Sequence, residues 1–155
     1  MNRAAILTLL GLALATAPAA AQAKADTAFH ALQMRGRLVM GVDQYTSTHV
    51  FEDLADGGRI ELQRDTVDPE GVTVIRAHLK TIAQAFKAGD FTAPALVHLK
   101  EVAGVAVLTA KKSLITYRYR DLPRGGEVRI QTSDPAAVKA VHAFLKFQRS
   151  EHHAH

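Results

Sequence analysis

Polar and apolar positions alternate over residues 48–54 and again over residues 59–64, with Ala55-Asp56-Gly57-Gly58 between them. Period-two alternation interrupted by a glycine-bearing turn predicts a β-hairpin. The pattern recurs over residues 115–122 and 127–132, around Pro123-Arg124-Gly125-Gly126. Both Gly-Gly pairs are read as supplying the positive φ of a tight hairpin. After each hairpin the period becomes helical. Over residues 69–87, Ile75, Leu79, Ile82 and Phe86 form one stripe, with Asp68 placed as N-cap and Gly89 as C-terminal stop. A second helix is expected after Asp134, with Pro135 first, Val138, Val141 and Leu145 inward, and its end near Arg149. Residues 29–44 and 97–112, each apolar with a central glycine, read as short helices. Ala88-Gly89-Asp90 and Thr92-Ala93-Pro94 read as turn and linker, and residues 151–155 as a frayed helix end.

These elements come in two matching sets. Residues 29–63 realign without a gap on residues 97–131 at an offset of 68, with identities that include His30/His98, Gly36/Gly104, Thr48/Thr116, Asp53/Asp121, Gly57/Gly125 and Gly58/Gly126. Shared turn glycines constrain backbone as well as composition, so an internal repeat is expected. The fold class that follows is α+β. Two duplicated helix-hairpin-helix units would form a four-stranded antiparallel sheet with helices packed on one face. Repeat one spans about 26–89 and repeat two about 94–150, within a single domain of residues 24–155.

Residues 1–23 have the layout of a secretory signal: Asn2 and Arg3, an apolar run from Ala4 to Thr16, Pro18, then Ala21-Gln22-Ala23 as cleavage site. The expected location is periplasmic or secreted, without a transmembrane anchor after cleavage. The chain has no cysteine, which removes disulfides, thiolate nucleophiles and thiolate metal sites. The formal charge of +4 is mixed along the chain rather than gathered in a stripe, so no nucleic-acid partner is expected.

Histidine is the residue type numerous enough to build a site. His49 alternates with Phe51 on the inward strand face, where the second repeat has Tyr117 and Tyr119. His78 and His142 sit on the two long helices, at related positions if four residues are deleted before the second. His98 stands before the second short helix. Neutral imidazoles bind copper or zinc without cysteine, so His49, His78, His98 and His142 are the candidate metal ligands. His152, His153 and His155 could add ligands, as short His-rich tracts do, but read first as a solvated end. Met34 and Met40 are candidate thioether ligands of copper(I), although Met40 matches Leu108 in the other repeat, which favours a core role. Asp53 and Asp121 read as turn residues rather than a catalytic pair. No serine stands in a nucleophile elbow, so no catalytic residue is assigned.

The stretch Met40-Gly41-Val42-Asp43-Gln44-Tyr45-Thr46-Ser47-Thr48-His49, the fragment Ile75-Arg76-Ala77-His78-Leu79, and residues 141–149 resemble a group of small exported bacterial proteins of unsettled function, some labelled aspartate carbamoyltransferase. A transcarbamoylase holds carbamoyl phosphate with a Ser-Thr-Arg-Thr loop. The nearest string here, Thr46-Ser47-Thr48-His49, has no arginine to pair with phosphate. The resemblance thus implies export and fold without that activity. The leading expectation is a non-enzymatic periplasmic binding protein with copper or zinc as ligand. A second is a module that binds an envelope protein through a surface made basic by Arg118, Arg120, Arg124 and Arg129. A small-substrate enzyme with His49 beside a carboxylate is third.

Overall fold

Both hairpins form where the alternation places them. In the computed structural model, which describes residues 19–41 and 44–152, β1 (Ser47–Leu54) pairs with β2 (Gly57–Arg64), and β3 (Thr116–Leu122) with β4 (Gly125–Gln131). Antiparallel pairing of β2 with β4 joins them into one sheet of order β1-β2-β4-β3. The chain is therefore an α+β fold on a four-stranded antiparallel sheet. At the central seam Ile60 faces Val128, with Gly57 opposite Gln131 and Gln63 opposite Gly125. Phe51, Ile60, Leu62, Tyr117, Val128 and Ile130 are buried on the face that the helices cover.

The two long helices begin at the expected caps. Asp68 accepts a hydrogen bond from the Gly71 amide at 3.0 Å to start α2 (Pro69–Ala88), and Gly89, at φ 82°, ends it. Asp134 accepts from the Ala137 amide at 2.8 Å to start α5 (Pro135–His152). The α2 stripe of Ile75, Leu79, Ile82 and Phe86 is buried. On α5, Val141 and Leu145 are buried as expected, but Val138 is only half-buried, and Ala137, Ala140, Phe144 and Gln148 complete the inner face.

Each helix crosses the seam. α2 follows β2 yet packs chiefly on β3 and β4, whereas α5 follows β4 and packs on β1 and β2. Neither hairpin is covered chiefly by its own helix, so the core closes only when both halves are present.

The glycine pairs serve this packing more than they serve the turns. The turn residues are Ala55-Asp56 and Pro123-Arg124, and of the four glycines Gly57 alone has a positive φ, at 134°. A Cβ at Gly57 would run into the Ile130 carbonyl and one at Gly125 into the Leu62 carbonyl, both across the seam. One at Gly58 would strike Leu145 of α5, and one at Gly126 would lie 2.7 Å from Tyr119 and 3.2 Å from Leu79 of α2. Close approach of strand to strand and helix to sheet excludes side chains there.

The shorter helices depart from expectation. α1 (Ala19–Met40) runs as one helix through Gly36, well beyond the short segment read from residues 29–44. Its supposed counterpart is broken into α3 (Thr92–His98) and α4 (Val105–Ala110), because Leu99 and Gly104 both take left-handed backbone. Thr92-Ala93-Pro94 is the first turn of α3 rather than a linker. Proline is tolerated there because first-turn amides have no intrahelical partner. α5 continues past Arg149 to His152, and residues 153–155 lie outside the described residues, as does most of the leader read over residues 1–23. Among the described residues, no helix is long and apolar enough to cross a membrane.

Replacing Gly125 with alanine forces its new methyl against the backbone of β2. Gly125→Ala is expected to lower the stability of the fold by about 1–3 kcal/mol, read from the urea denaturation midpoint.

Candidate functional site: a histidine-lined cavity

A cavity of about 80 Å³ opens between the first hairpin and the helices above it. Six elements supply its wall: His49 and Phe51 from β1, Ile60 and Leu62 from β2, His78 from α2, His98 from α3, Gln148 and His152 from α5, and Met40 from the end of α1. Apart from the imidazoles and the Gln148 amide, the lining is apolar.

Local structure aims each ring. Strand alternation turns His49 to the helix side, opposite Leu62 on β2. His98 is the last residue of α3, whose end is set by the left-handed Leu99 and held by Arg35, which donates to the Val97 carbonyl at 2.6 Å. His98 is buried, and its Nε2 lies 3.0 Å from Gln148 Oε1. With that oxygen accepting, the proton sits on Nε2 and the lone pair on Nδ1. His98 Nδ1 and His49 Nε2 are both buried without a hydrogen-bond partner. His152 stacks on His49 with ring centroids 5.6 Å apart and meets His98 edge-on at 5.1 Å. Glu151, paired with Lys100 at 2.8 Å, stands 3.8 Å from His98 Nδ1 and holds this last turn of α5 in place.

The cavity keeps its rings neutral. Burial, helped by the neighbouring His78 and opposed by a smaller effect of Asp65, lowers the His49 pKa to about 4. His78 is likewise lowered to about 4 by burial. Burial also lowers His98, partly offset by its bond to Gln148 and the charge of Glu151. At neutral pH these are uncharged imidazoles with lone pairs to offer.

Of the four expected ligands, the structure brings His49, His78 and His98 to one cavity. His142 is elsewhere: its Nε2 donates to the Leu54 carbonyl at 2.9 Å, at the end of β1. The caps explain the misplacement. Counted from Asp68 and Asp134, His142 stands level with Arg76 and His78 with Phe144. Arg76 indeed does for the second hairpin what His142 does for the first, donating to the Leu122 carbonyl at 2.8 Å. The member that the solvated-end reading passes over is His152. Its i+4 spacing from Gln148, which lies on the buried face of α5, is the sequence signal that places it.

Other candidates resolve into structural roles. Asp53 receives Arg149 in two contacts at 2.9 and 3.2 Å, and Asp121 accepts from the Tyr119 hydroxyl at 2.5 Å with Arg76 3.7 Å away. Arg118 and Arg120 are on the exposed sheet face. Arg120 grips Glu127 at 3.0 and 3.1 Å, Arg129 binds Asp56, and Arg124 donates to the Arg64 carbonyl at 2.7 Å. Much of the supposed basic surface is thus occupied internally. No carboxylate lines the cavity beside His49, and among the described residues no three of His, Asp and Glu are gathered tightly enough to hold a metal ion as they stand. No family model, curated protein or solved structure matches the chain.

Neutral burial of His49 and His78 makes stability depend on pH. Above about pH 6.5 the rings are neutral in both folded and unfolded chains, and their contribution is constant. Between about 6.5 and about 4 the unfolded chain binds protons that the fold refuses, so stability falls as pH falls, and the loss is complete below about 4. The expected loss is roughly 2–3 kcal/mol per ring. Denaturation midpoints from pH 7.5 to 4 should show this slope, and the double variant His49→Phe/His78→Leu should flatten it.

Proposed function

We propose that this is a periplasmic, non-enzymatic binding protein that holds a transition metal ion, copper or zinc, in the histidine cavity. The observation that carries the reading is the pair of buried, unpartnered ring nitrogens, His49 Nε2 and His98 Nδ1, on two residues that line one cavity. A buried polar atom without a partner costs about 1–3 kcal/mol. A ligand that accepts both lone pairs recovers that cost. Neutral imidazole is the form that coordinates metals, and depressed pKa values hold it ready without proton competition at neutral pH. His78 and His152 complete the ring set. His142 belongs to the scaffold.

The scaffold itself we read as a duplication. The two hairpins share one register under the offset of 68, with Thr48 opposite Gln63 and Thr116 opposite Gln131. The seam pairs Ile60 with Val128, its own counterpart at that offset. One half then keeps Tyr117 where the other has His49, so the site occurs once.

Titration of the purified protein with copper or zinc should show one ion bound more tightly than about micromolar, a free energy near −8 kcal/mol. His49→Ala and His98→Ala should each weaken binding about tenfold or more. His142→Ala should bind as the parent does while losing about 1 kcal/mol of stability, since it leaves the Leu54 carbonyl unpaired. Absence of stoichiometric binding, or loss of it in His142→Ala alone, contradicts the reading.

A further inference from the structure

We propose that the outer edge of β3 takes an added strand, an extended and acidic segment of a partner protein. That edge lies across the sheet from the histidine cavity and needs no ion there.

The first observation is that the two edges of the sheet are unlike. With order β1-β2-β4-β3, the outer strands are β1 and β3. The ladder fixes which backbone groups they turn outward. The Arg64 amide donates to the Arg124 carbonyl and the Thr132 amide to that of Asp56, so even-numbered residues of β4 bond towards β2 and odd-numbered ones towards β3. Through the register those bonds engage Arg118 and Arg120 on β3. The N–H and C=O groups of Tyr117, Tyr119 and Asp121 are then directed away from the sheet.

The corresponding edge of β1 is guarded. Arg149 of α5 donates to the Phe51 carbonyl and binds Asp53 at 2.9 and 3.2 Å. Counted from the caps, the α2 residue level with Arg149 is Ala83, which is buried and has no donor on its side chain. Among the described residues no backbone hydrogen bond from another segment reaches the outer edge of β3. An open edge is a template for a further strand.

The second observation is charge, which selects the occupant. Positions 118 and 120 would form non-hydrogen-bonded pairs with an added antiparallel strand, where Cα atoms come within about 4.5 Å and side chains meet most closely. Both are exposed arginines. Arg120 is held by Glu127 at 3.0 and 3.1 Å, whereas among the described residues Arg118 has no side-chain hydrogen bond or ion pair. On the helix side of the same edge the Lys80 ammonium lies 5.1 Å from the centroid of the Tyr119 ring. These groups oppose a second copy of β3. Antiparallel self-pairing centred on Tyr119 sets Arg118 against a second Arg120, and centring on either arginine sets it against itself. Like charges directly opposite destabilise a strand pair, and a carboxylate opposite each arginine stabilises it. The strand that fits therefore carries Asp or Glu at alternate positions on one face.

The test is fluorescence anisotropy of a labelled, end-capped peptide that alternates glutamate with valine, titrated with the purified protein beside a control with lysine for glutamate. The glutamate peptide should bind with a dissociation constant of about 100 μM or tighter, and the lysine peptide at least about tenfold more weakly. Amide hydrogen exchange should slow at Tyr117, Tyr119 and Asp121 on binding, which a loose electrostatic contact does not produce. Arg118→Glu, a change at an exposed side chain, should keep the fold and weaken the glutamate peptide about tenfold. No binding at millimolar concentration, equal binding of the lysine peptide, binding unchanged in Arg118→Glu, or binding without protection in β3 overturns the proposal. So does a dimer in sedimentation equilibrium whose β3 amides are already protected, since a second copy then occupies the edge. None of these outcomes bears on whether the cavity binds copper or zinc.

Discussion

The structure depends on the seam where β2 and β4 pair and over which the two long helices exchange places. Gly57 and Gly125 let the two backbones approach without a methyl between them, and Gly58 and Gly126 admit Leu145 and Leu79 from the crossing helices. Because α2 packs chiefly on β3 and β4, and α5 on β1 and β2, each hairpin buries its apolar face largely under the other half's helix. Folding is then necessarily a property of the whole chain. The same exchange delivers the end of α5, with Gln148 and His152, over His49 on β1.

The cavity follows from an inequality between the two sides of this seam. In the second half Tyr117 fills the inward position and packs edge-on against Phe86, with ring centroids 5.8 Å apart. In the first half the smaller His49 occupies that place, and α1 and α3 roof it with Met40 and His98. A smaller ring leaves room; an apolar surround keeps it uncharged; two nitrogens are left without partners. Folding alone gives no return for that arrangement, since burying an unsatisfied nitrogen weakens a core. It is intelligible as a receptor for something that accepts a lone pair.

Much of this was legible in the sequence where the signal was local. Strand alternation, the Asp68 and Asp134 caps and the Gly89 stop are encoded within a turn or two of the chain, and each stands where the residues place it. What was not legible depended on contacts between distant segments. The Gly-Gly pairs resemble turn glycines in sequence, yet the atoms that exclude their side chains belong to Ile130, Leu145, Leu62 and Tyr119. The break between α3 and α4 needs left-handed backbone at Leu99, a residue that gives no warning of it. Matching the two helices by their histidines rather than their caps misplaces His142, and His152 reads first as a solvated end although α5 reaches it beside the Lys100–Glu151 pair. That His49, His78 and His98 line one cavity depends on how α2 and α3 pack beside β1, which no local signal encodes.

The central claim is that His49 and His98, which line one cavity, offer His49 Nε2 and His98 Nδ1 as unprotonated donors to a cation. Nitrogen-detected NMR of the imidazoles at pH 7, before and after one equivalent of copper or zinc, measures this directly. The account predicts neutral rings, the Nε2–H tautomer at His98, and large shifts confined to the cavity histidines, with His142 unmoved. Rings that are already protonated, or shifts at His142 with none at His49 and His98, would contradict it.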